Sequence, residues 1–315
     1  MTRIARLALA ISLAVVIPAG TSLAQQAAPY TVVETGRGFE RLQAAVDAIG
    51  YGTGTIRFAA MRFADCAVQS RGDIHYTAAE PGQAVLEGVA CEGKAALVLR
   101  GRRARIEGLV FAGITVPDGN GAGIRLERGD LAVSQSWFRD SQQGILSANG
   151  ERGTITIDKS TFTRLGTCEG AGGCAHAVYI GDYDALTVTR SRFEAGRGGH
   201  YIKSRTARIT VLESSFDDSA GRATNYMIDL PAGSSGRIAG NWFVQGKDKE
   251  NHSAFIAVAA EGRVNSSAGL VIEGNDARFA PGVSWGSTFV ADWSGDVLKI
   301  GVNALDEGLK RFERR

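Results

Sequence analysis

Four segments of the chain repeat one eight-residue pattern without a gap, and this repeat limits the fold more than any other feature. The pattern is aliphatic-x-Val/Ile-x-x-Ser-x-Phe. Its four copies are residues 131–138, 155–162, 186–193 and 209–216. Looser copies lie at 106–111, 238–243 and 270–279, and the spacing between copies is about 23 to 32 residues. Such a spacing is typical of architectures in which one unit stacks on the next.

Each copy begins with strand-like alternation, in which aliphatic residues face one side and polar residues the other. The Ser is placed to stack at a turn, and the Phe returns to the interior. A coil of this length with two or three short strands and no helix predicts an all-β fold, a right-handed parallel β-helix solenoid. A leucine-rich repeat fits less well because its Leu/Asn signature is absent, and a propeller blade needs about 40 residues.

The two ends of the chain differ from the repeats. Arg3 and Arg6, an apolar run at 7–17 and an A-x-A-like site at 22–24 are typical of a secretory signal peptide over residues 1–24. The apolar run is shorter than the roughly 20 residues of a spanning helix, so no stable membrane insertion is expected after cleavage.

The rest of the chain is expected to divide into three parts. Residues 25–60 are predicted to form a short strand and an amphipathic helix at 39–49, where apolar residues recur at helical spacing. The β-helix is expected over 61–300, and a charged C-terminal cap or tail over 301–315.

The charge balance argues against a nucleic-acid partner. The chain has 35 Lys and Arg against 33 Asp and Glu, so loss of Arg3 and Arg6 leaves 33 of each. A net charge near zero provides no electrostatic footprint for nucleic acid.

The four cysteines predict two disulfides, because an even number in an exported chain is typical of disulfide pairing. Cys168 and Cys174 share one Gly-rich loop and are expected to pair. Cys66 and Cys91 are then left to pair, about one repeat apart. No C-x-x-C spacing indicates a metal site, and a periplasmic or secreted location is expected.

The coil motif, the strand-rich body and the N-terminal helix resemble the pectate-lyase-like superfamily of exported bacterial β-helix proteins. In that family a short helix caps the apolar N-terminal end of the solenoid, and residues 39–49 suit this role. An uncovered end would offer an unpaired strand edge for aggregation. The resemblance spans most of the mature chain, and it implies a fold rather than an activity. A monomer is expected, because solenoids with capped ends commonly are monomeric.

A second strand precedes each copy of the repeat, and these strands align on isoleucines that are expected to point inward. The isoleucines are Ile124, Ile145, Ile180, Ile202, Ile228 and Ile256. Their neighbours should point outward by alternation. The first predicted outward column is Arg125, Leu146, Gly181, Lys203, Asp229 and Ala257. The second is Glu127, Ala148, Tyr183, Arg205, Pro231 and Ala259, and a third holds Tyr179, Tyr201 and Met227.

These columns predict a candidate site around residues 199–205. Coils stack about 4.8 Å apart, so Lys203 and Asp229 should be direct neighbours, with Arg205 nearby. A groove for a polymer is one interpretation, and a cross-coil ion pair worth about 0 to 1 kcal/mol is the other. The candidate substrate-binding residues are Tyr179, Arg125, His200 and His176. His176, His200 and His252 each stand just before an upstream strand. They are either ligands or acid/base groups, or stacked turn residues without a chemical role.

Three functions on a polysaccharide or other glycan remain open. The first is β-elimination, in which Arg205 neutralises a uronate carboxylate and Tyr179 or Tyr201 donates a proton. Lys203 would be the base if burial and Arg205 lower its pKa. The pair at 203–204 is similar to the strand that carries the base lysine in chondroitinase-B-like and alginate lyases. There an Arg from the following coil is the acid, whereas this chain has Asp229.

The second function is hydrolysis, which needs two carboxylates about 5 to 9.5 Å apart. Asp229 is one candidate, with Asp182 or Glu261 as its partner. The third is a non-catalytic glycan-binding or envelope protein, in which tyrosines stack on sugars and cations hold acidic groups. No cofactor is expected, although Asp182 and Asp184 offer oxygens to Ca²⁺ if they do not serve a turn.

Overall fold

The computed structural model describes residue 2 and residues 28–150, 152–169 and 173–315. Apart from residue 2, the predicted signal peptide lies outside the described residues. The described chain is an all-β parallel solenoid of about nine turns, as the repeat predicts. Among the described residues, no helix is both long and apolar enough to cross a membrane.

Three sheets run along the solenoid, and each turn contributes one strand to each sheet. Sheet A consists of Arg37–Phe39, Tyr30–Val32, Thr53–Phe58, Asp73–Ala78, Arg103–Glu107, Asp130–Ser134, Thr154–Asp158, Ala185–Thr189, Arg208–Leu212, Ser235–Ala239, Val271–Glu273 and Lys299–Ile300. Sheet B consists of Arg62–Phe63, Ala84–Glu87, Leu109–Ala112, Trp137–Arg139, Thr161–Thr163, Arg192–Glu194, Ser215–Asp217, Trp242–Gln245, Asp276–Phe279 and Ala304–Leu305. Sheet C consists of Ala67–Gln69, Ala95–Leu99, Ala122–Leu126, Gln143–Ser147, Val178–Ile180, Ile202–Ser204, Ile228–Leu230, Ala254–Val258, Ser287–Asp292 and Leu309–Arg314.

The described residues contain one short helix, Leu42–Ile49, which buries Leu42, Ala45 and Val46. It begins later than the predicted residue 39, because Phe39 belongs to the strand Arg37–Phe39, which pairs antiparallel with Tyr30–Val32. The capping role of this helix stays a prediction.

The four copies of the repeat stack in register. Leu131 pairs with Ile155, which pairs in turn with Leu186. The phenylalanines at the end of each copy form a column of parallel rings with centroids 4.7 to 4.9 Å apart. The column extends to Phe111 and Phe243, so it runs through most of the core.

The serines of the repeat form a ladder at the turn between sheets A and B. The backbone N–H of Ser136 donates to Oγ of Ser160, 3.3 Å away, and Ser160 and Ser191 repeat this contact one turn further on. Asn241 replaces Ser in the next turn, where its side-chain oxygen accepts from the N–H of Ser214 at 2.9 Å. Buried backbone groups need such partners, so the repeat conserves a small polar residue at this corner.

The isoleucine column of sheet C is confirmed except at one strand. The pairing runs Ile124, Ile145, Val178, Ile202, Ile228 and Ile256. Ile180 is also buried, but it pairs with Ser204, so the alignment of Ile180 with Ile202 is wrong by two residues. A shift of two keeps every side chain on its own face, and the hydrophobic pattern therefore cannot detect it.

Both predicted disulfides are present, Cys66–Cys91 and Cys168–Cys174. At the C-terminal end, Leu309–Arg314 pairs with Ser287–Asp292 and so continues sheet C. Part of the predicted charged tail is therefore a strand of the solenoid.

Candidate functional site

Two adjoining clefts lie on the outer face of sheet C, and we call them together the sheet C groove. The first has a volume of about 430 Å³ and is lined by residues that include Lys94, Arg125 and Tyr179. The second has a volume of about 310 Å³, and its lining includes His176, His200 and Lys203. Asn120 and Tyr179 line both clefts, so the groove is continuous along several turns of the solenoid.

One outward column of sheet C runs along this groove, and its members from Arg125 to Lys203 line the two clefts. Strand pairing places its members in the order Arg125, Leu146, Tyr179, Lys203 and Asp229. The expected neighbours Lys203 and Asp229 are confirmed. Gly181, which was predicted to lie in this column, is replaced there by Tyr179 because of the two-residue shift.

Lys203 and Asp229 form a buried ion pair, with Nζ of Lys203 3.2 Å from Oδ2 of Asp229. The same oxygen lies 3.4 Å from Nε2 of His200. Both residues were expected on an exposed face, but their side chains are only 10% and 4% exposed. Asp229 therefore lies beneath the groove, where it holds the ammonium and the imidazole in position.

Arg205 and Glu261 extend the cluster beyond Lys203 and Tyr179, and neither of them lines the two clefts. Nε of Arg205 donates to the hydroxyl of Tyr179 at 3.1 Å, and its Nη2 forms an ion pair with Glu261. The other oxygen of Glu261 lies 2.5 Å from Nζ of Lys203. One partly exposed carboxylate is thus held between two cations.

Two neutral histidines line the deeper part of the groove. The rings of His176 and His200 lie 4.8 Å apart, and the backbone N–H of His200 donates to Nδ1 of His176 at 3.0 Å. Tyr226 stacks on the other side of His200, at 5.5 Å. His252 does not continue this stack, because it stands four residues before Ile256 whereas His200 stands two before Ile202. Its ring lies instead 4.6 Å from that of Trp285.

The pKa shifts in the cluster follow from its burial and its charges. Burial raises the pKa of Asp229 to about 6, against the effect of Lys203. Burial lowers the pKa of Lys203, but Asp229 and Glu261 outweigh this effect, so the pKa is raised. Burial also lowers the pKa of His176 to about 3 and that of His200 well below its usual value, so both rings are neutral near pH 7.

These shifts correct one expectation. The role of Lys203 as a base required a lowered pKa, whereas the raised pKa keeps its amine protonated. Lys203 is therefore a cation of the groove. Oδ1 of Asp229 and Nδ1 of His200 are buried without a hydrogen-bond partner among the residues the structure describes.

Tyr201 is not on the outer face, contrary to its predicted role as a catalytic residue. Its hydroxyl donates to Oδ1 of Asp218 at 2.7 Å, inside the solenoid. The same carboxylate pairs with the fully buried Lys249 at 3.0 Å. Tyr201 precedes the strand Ile202–Ser204, so the alternation of that strand does not govern its direction. Tyr183, predicted to be outward, is also buried in the core.

The described residues support no particular metal site. Oδ2 of Asp184 accepts the N–H of Gly153 at 3.1 Å, which is a loop contact, while Asp182 is exposed. Calcium binding by this pair stays a prediction. Cys168, Cys174 and Glu250 also lie together, but both sulfurs belong to the disulfide and are not free thiolates.

Sequence reasoning underestimated Glu261 and missed Asn120 and Glu250. All three lie in segments that connect strands, where the repeat has no fixed pattern. Glu261 was considered only as a second carboxylate for hydrolysis, and its contacts with Lys203 and Arg205 depend on the path of its loop. An alignment of the repeated strands cannot predict contacts that a loop residue makes.

No family model matches the chain, and no curated protein matches it. Solved structures with a similar shape include ORF18 of Geobacillus virus E2, with 14% identity and a TM-score of 0.47, covering 86% of this chain and 56% of that one. The Streptococcus pneumoniae surface protein and adhesin PfbA has 10% identity and a TM-score of 0.45, covering 90% and 97%. The PL6 family alginate lyase AlyGC has 13% identity and a TM-score of 0.36, covering 87% and 52%. This chain thus spans only about half the length of the viral protein and of the lyase.

Proposed function

We propose that the protein binds an acidic polysaccharide along the sheet C groove, with a sugar carboxylate held by Lys203, Arg205 and Tyr179. The observation that supports this proposal is the contact of both cations with the carboxylate of Glu261. A carboxylate between a lysine and an arginine makes charge-assisted hydrogen bonds, which are stronger than those between neutral groups. We refer to these three residues as the carboxylate subsite.

The length of the groove favours a polymer as the ligand. Arg125 and Lys203 are three strand spacings apart on sheet C, which is about 14 Å. Lys94 and Arg125 supply two further cations at the far end, both near Glu127. The ring of Tyr179 lies one strand from Lys203 and two from Arg125, where it offers an aromatic surface to a sugar.

β-Elimination is a second candidate, because the Tyr179 hydroxyl is oriented by Arg205 beside the two cations. In this reaction the cations neutralise a uronate carboxylate and so acidify the adjacent C–H. Once its own proton has passed to solvent, the Tyr179 oxygen takes the C–H proton, the C–O bond to the next sugar breaks, and the same proton passes to the departing oxygen. One side chain thereby serves as base and acid, and Lys203 acts only as a cation.

Hydrolysis fits the geometry less well. Asp229 and Glu261 both contact the ammonium of Lys203, so their oxygens are at most about 6 Å apart, within the range for a carboxylate pair. Asp229 is nevertheless buried beneath Lys203 and His200, and its carboxyl does not line the groove.

The test is a binding panel of polygalacturonate, alginate and hyaluronan, each paired with its carboxyl-reduced form. We expect binding to at least one acidic polymer, no binding to its reduced form, and weaker binding by Arg205→Gln. Ultraviolet absorbance from unsaturated products, lost in Tyr179→Phe, would establish elimination. New reducing ends without this absorbance would favour hydrolysis, and equal binding of the acidic and reduced polymers would refute the carboxylate subsite.

We further infer that the helix Leu42–Ile49 covers the N-terminal end of the core, because it buries Leu42, Ala45 and Val46 beside the first strands. A right-handed winding is inferred from the strong preference of parallel crossover connections for that hand. Two disulfides are compatible with an extracellular or periplasmic location.

A further inference from the structure

Glu261 lies where the carboxylate of a bound sugar is expected. Its Oε1 is 2.5 Å from Nζ of Lys203, and its Oε2 contacts Nη2 of Arg205. We propose that Glu261 is an internal occupant of the carboxylate subsite, and that a uronate binds by replacing it between Lys203 and Arg205. This inference rests on the proposed function and adds a residue that determines which sugars enter.

The two carboxylates around Lys203 differ in how easily they can leave. The side chain of Asp229 is 4% exposed, whereas that of Glu261 is 46% exposed. Ion pairs at the surface hold their partners weakly, since water and salt compete with them. Asp229 is therefore a permanent partner of Lys203, and Glu261 is a replaceable one.

The loop that carries Glu261 is attached independently of its carboxylate. The N–H of Glu261 donates to the carbonyl of Pro231 at 3.0 Å. Four residues later, Nδ2 of Asn265 donates to the carbonyls of Arg205 and Gly233 at 3.1 and 3.2 Å. The backbone can thus stay in place while the side chain rotates away, a motion that is fast for an exposed residue.

Departure of Glu261 leaves no buried charge unpaired. Lys203 keeps Asp229 at 3.2 Å, and Arg205 keeps the hydroxyl of Tyr179 at 3.1 Å. A ligand carboxylate in the vacated position restores both lost contacts, but a neutral sugar cannot replace the negative charge. Every ligand that displaces Glu261 therefore breaks its contacts with Lys203 and Arg205. Only an anionic ligand replaces those contacts with equivalent ones.

The test compares Glu261→Gln with the wild type for binding of a uronic acid trisaccharide and its carboxyl-reduced form. The matched control is Glu273→Gln, which removes an exposed ion pair with Arg237 on sheet A. We expect Glu261→Gln to bind the acidic trisaccharide about two- to fivefold more tightly, as loss of an exposed pair implies. The control should bind like the wild type.

A double variant tests the mechanism. The gain in affinity of Glu261→Gln should vanish when Arg205→Gln is added to it. If Glu261→Gln binds the acidic trisaccharide as tightly as the wild type or more weakly, this inference is wrong and the proposed function is unaffected. If neither protein binds any acidic sugar, the proposed function fails as well. Should the glutamine variant not fold, as judged by thermal melting, Glu261→Ala gives the same comparison.

Discussion

Lys203 and Asp229 face each other on neighbouring strands of sheet C, with Nζ 3.2 Å from Oδ2 and both residues buried. Moving two such ions out of water costs several kcal/mol each, so the pair is weak evidence for stability. Its effect is to hold a charged amine at one place in the groove, next to His200 and below Glu261.

Removal of one partner of this pair should be costly. We expect Lys203→Met to lower the free energy of unfolding by about 3 kcal/mol, because it leaves the carboxylate of Asp229 buried without its cation. The double variant Lys203→Met with Asp229→Asn removes both buried charges and should recover most of that loss. Urea denaturation of the two variants and the wild type measures this. A double variant less stable than Lys203→Met would contradict the account.

The pKa of Asp229 predicts a specific dependence of stability on pH. Because burial raises the pKa from 3.8 to about 6 in the folded protein, the folded state binds a proton that the unfolded state has lost between these values. The stability of the wild type relative to Asp229→Asn should therefore fall as pH rises from about 4 to about 6, and level off above. Denaturation of both proteins at a series of pH values tests this. If the stability of the wild type relative to Asp229→Asn rises over the same range, the pKa of Asp229 is lowered rather than raised.

The two tyrosines should behave differently when each loses its hydroxyl. Tyr201→Phe breaks a buried hydrogen bond to Asp218 and should cost about 1 to 3 kcal/mol of stability, with acidic glycan binding unchanged. Tyr179→Phe should leave stability within about 0.5 kcal/mol and weaken binding, since its hydroxyl belongs to the carboxylate subsite. Melting and binding measurements on both variants decide this, and reduced binding in folded Tyr201→Phe would restore a direct role for that residue.

Arg125 should matter only for long ligands, because it lies about 14 Å from Lys203 along sheet C. We expect Arg125→Gln to weaken binding of an acidic polymer and to leave the affinity for a single uronic acid unchanged. Titration with oligosaccharides of increasing length gives the comparison. An equal loss for the monosaccharide would indicate that Arg125 acts on the carboxylate subsite itself.

The two disulfides should contribute unequally to stability. The chain-entropy model assigns about 3 to 4 kcal/mol to Cys66–Cys91, whose sequence separation is 25, and about 2 kcal/mol to Cys168–Cys174, whose separation is 6. Paired Cys→Ser variants of each bridge provide matched controls for one another in denaturation experiments. A larger loss for the short bridge would point to native-state contacts rather than loop length.

The sequence alone determined the solenoid, because its repeat is a direct record of which residues stack. Phe138 and Phe162 recur at the same place in each copy, and their rings lie 4.9 Å apart. The adjacency of Lys203 and Asp229 and the pairing of Cys66 with Cys91 follow from the same spacing. These are properties of regular strands and of their order along the chain.

Only the tertiary structure decided what the candidate site contains. The pairing of Val178 rather than Ile180 with Ile202 brings Tyr179 beside Lys203, and a two-residue shift leaves the inward and outward faces unchanged. Tyr201 turns inward at a corner where strand alternation does not apply, and Glu261 reaches Lys203 from a loop outside the repeat. Periodicity specifies the strands, whereas loops and corners take positions set by packing between distant parts of the chain.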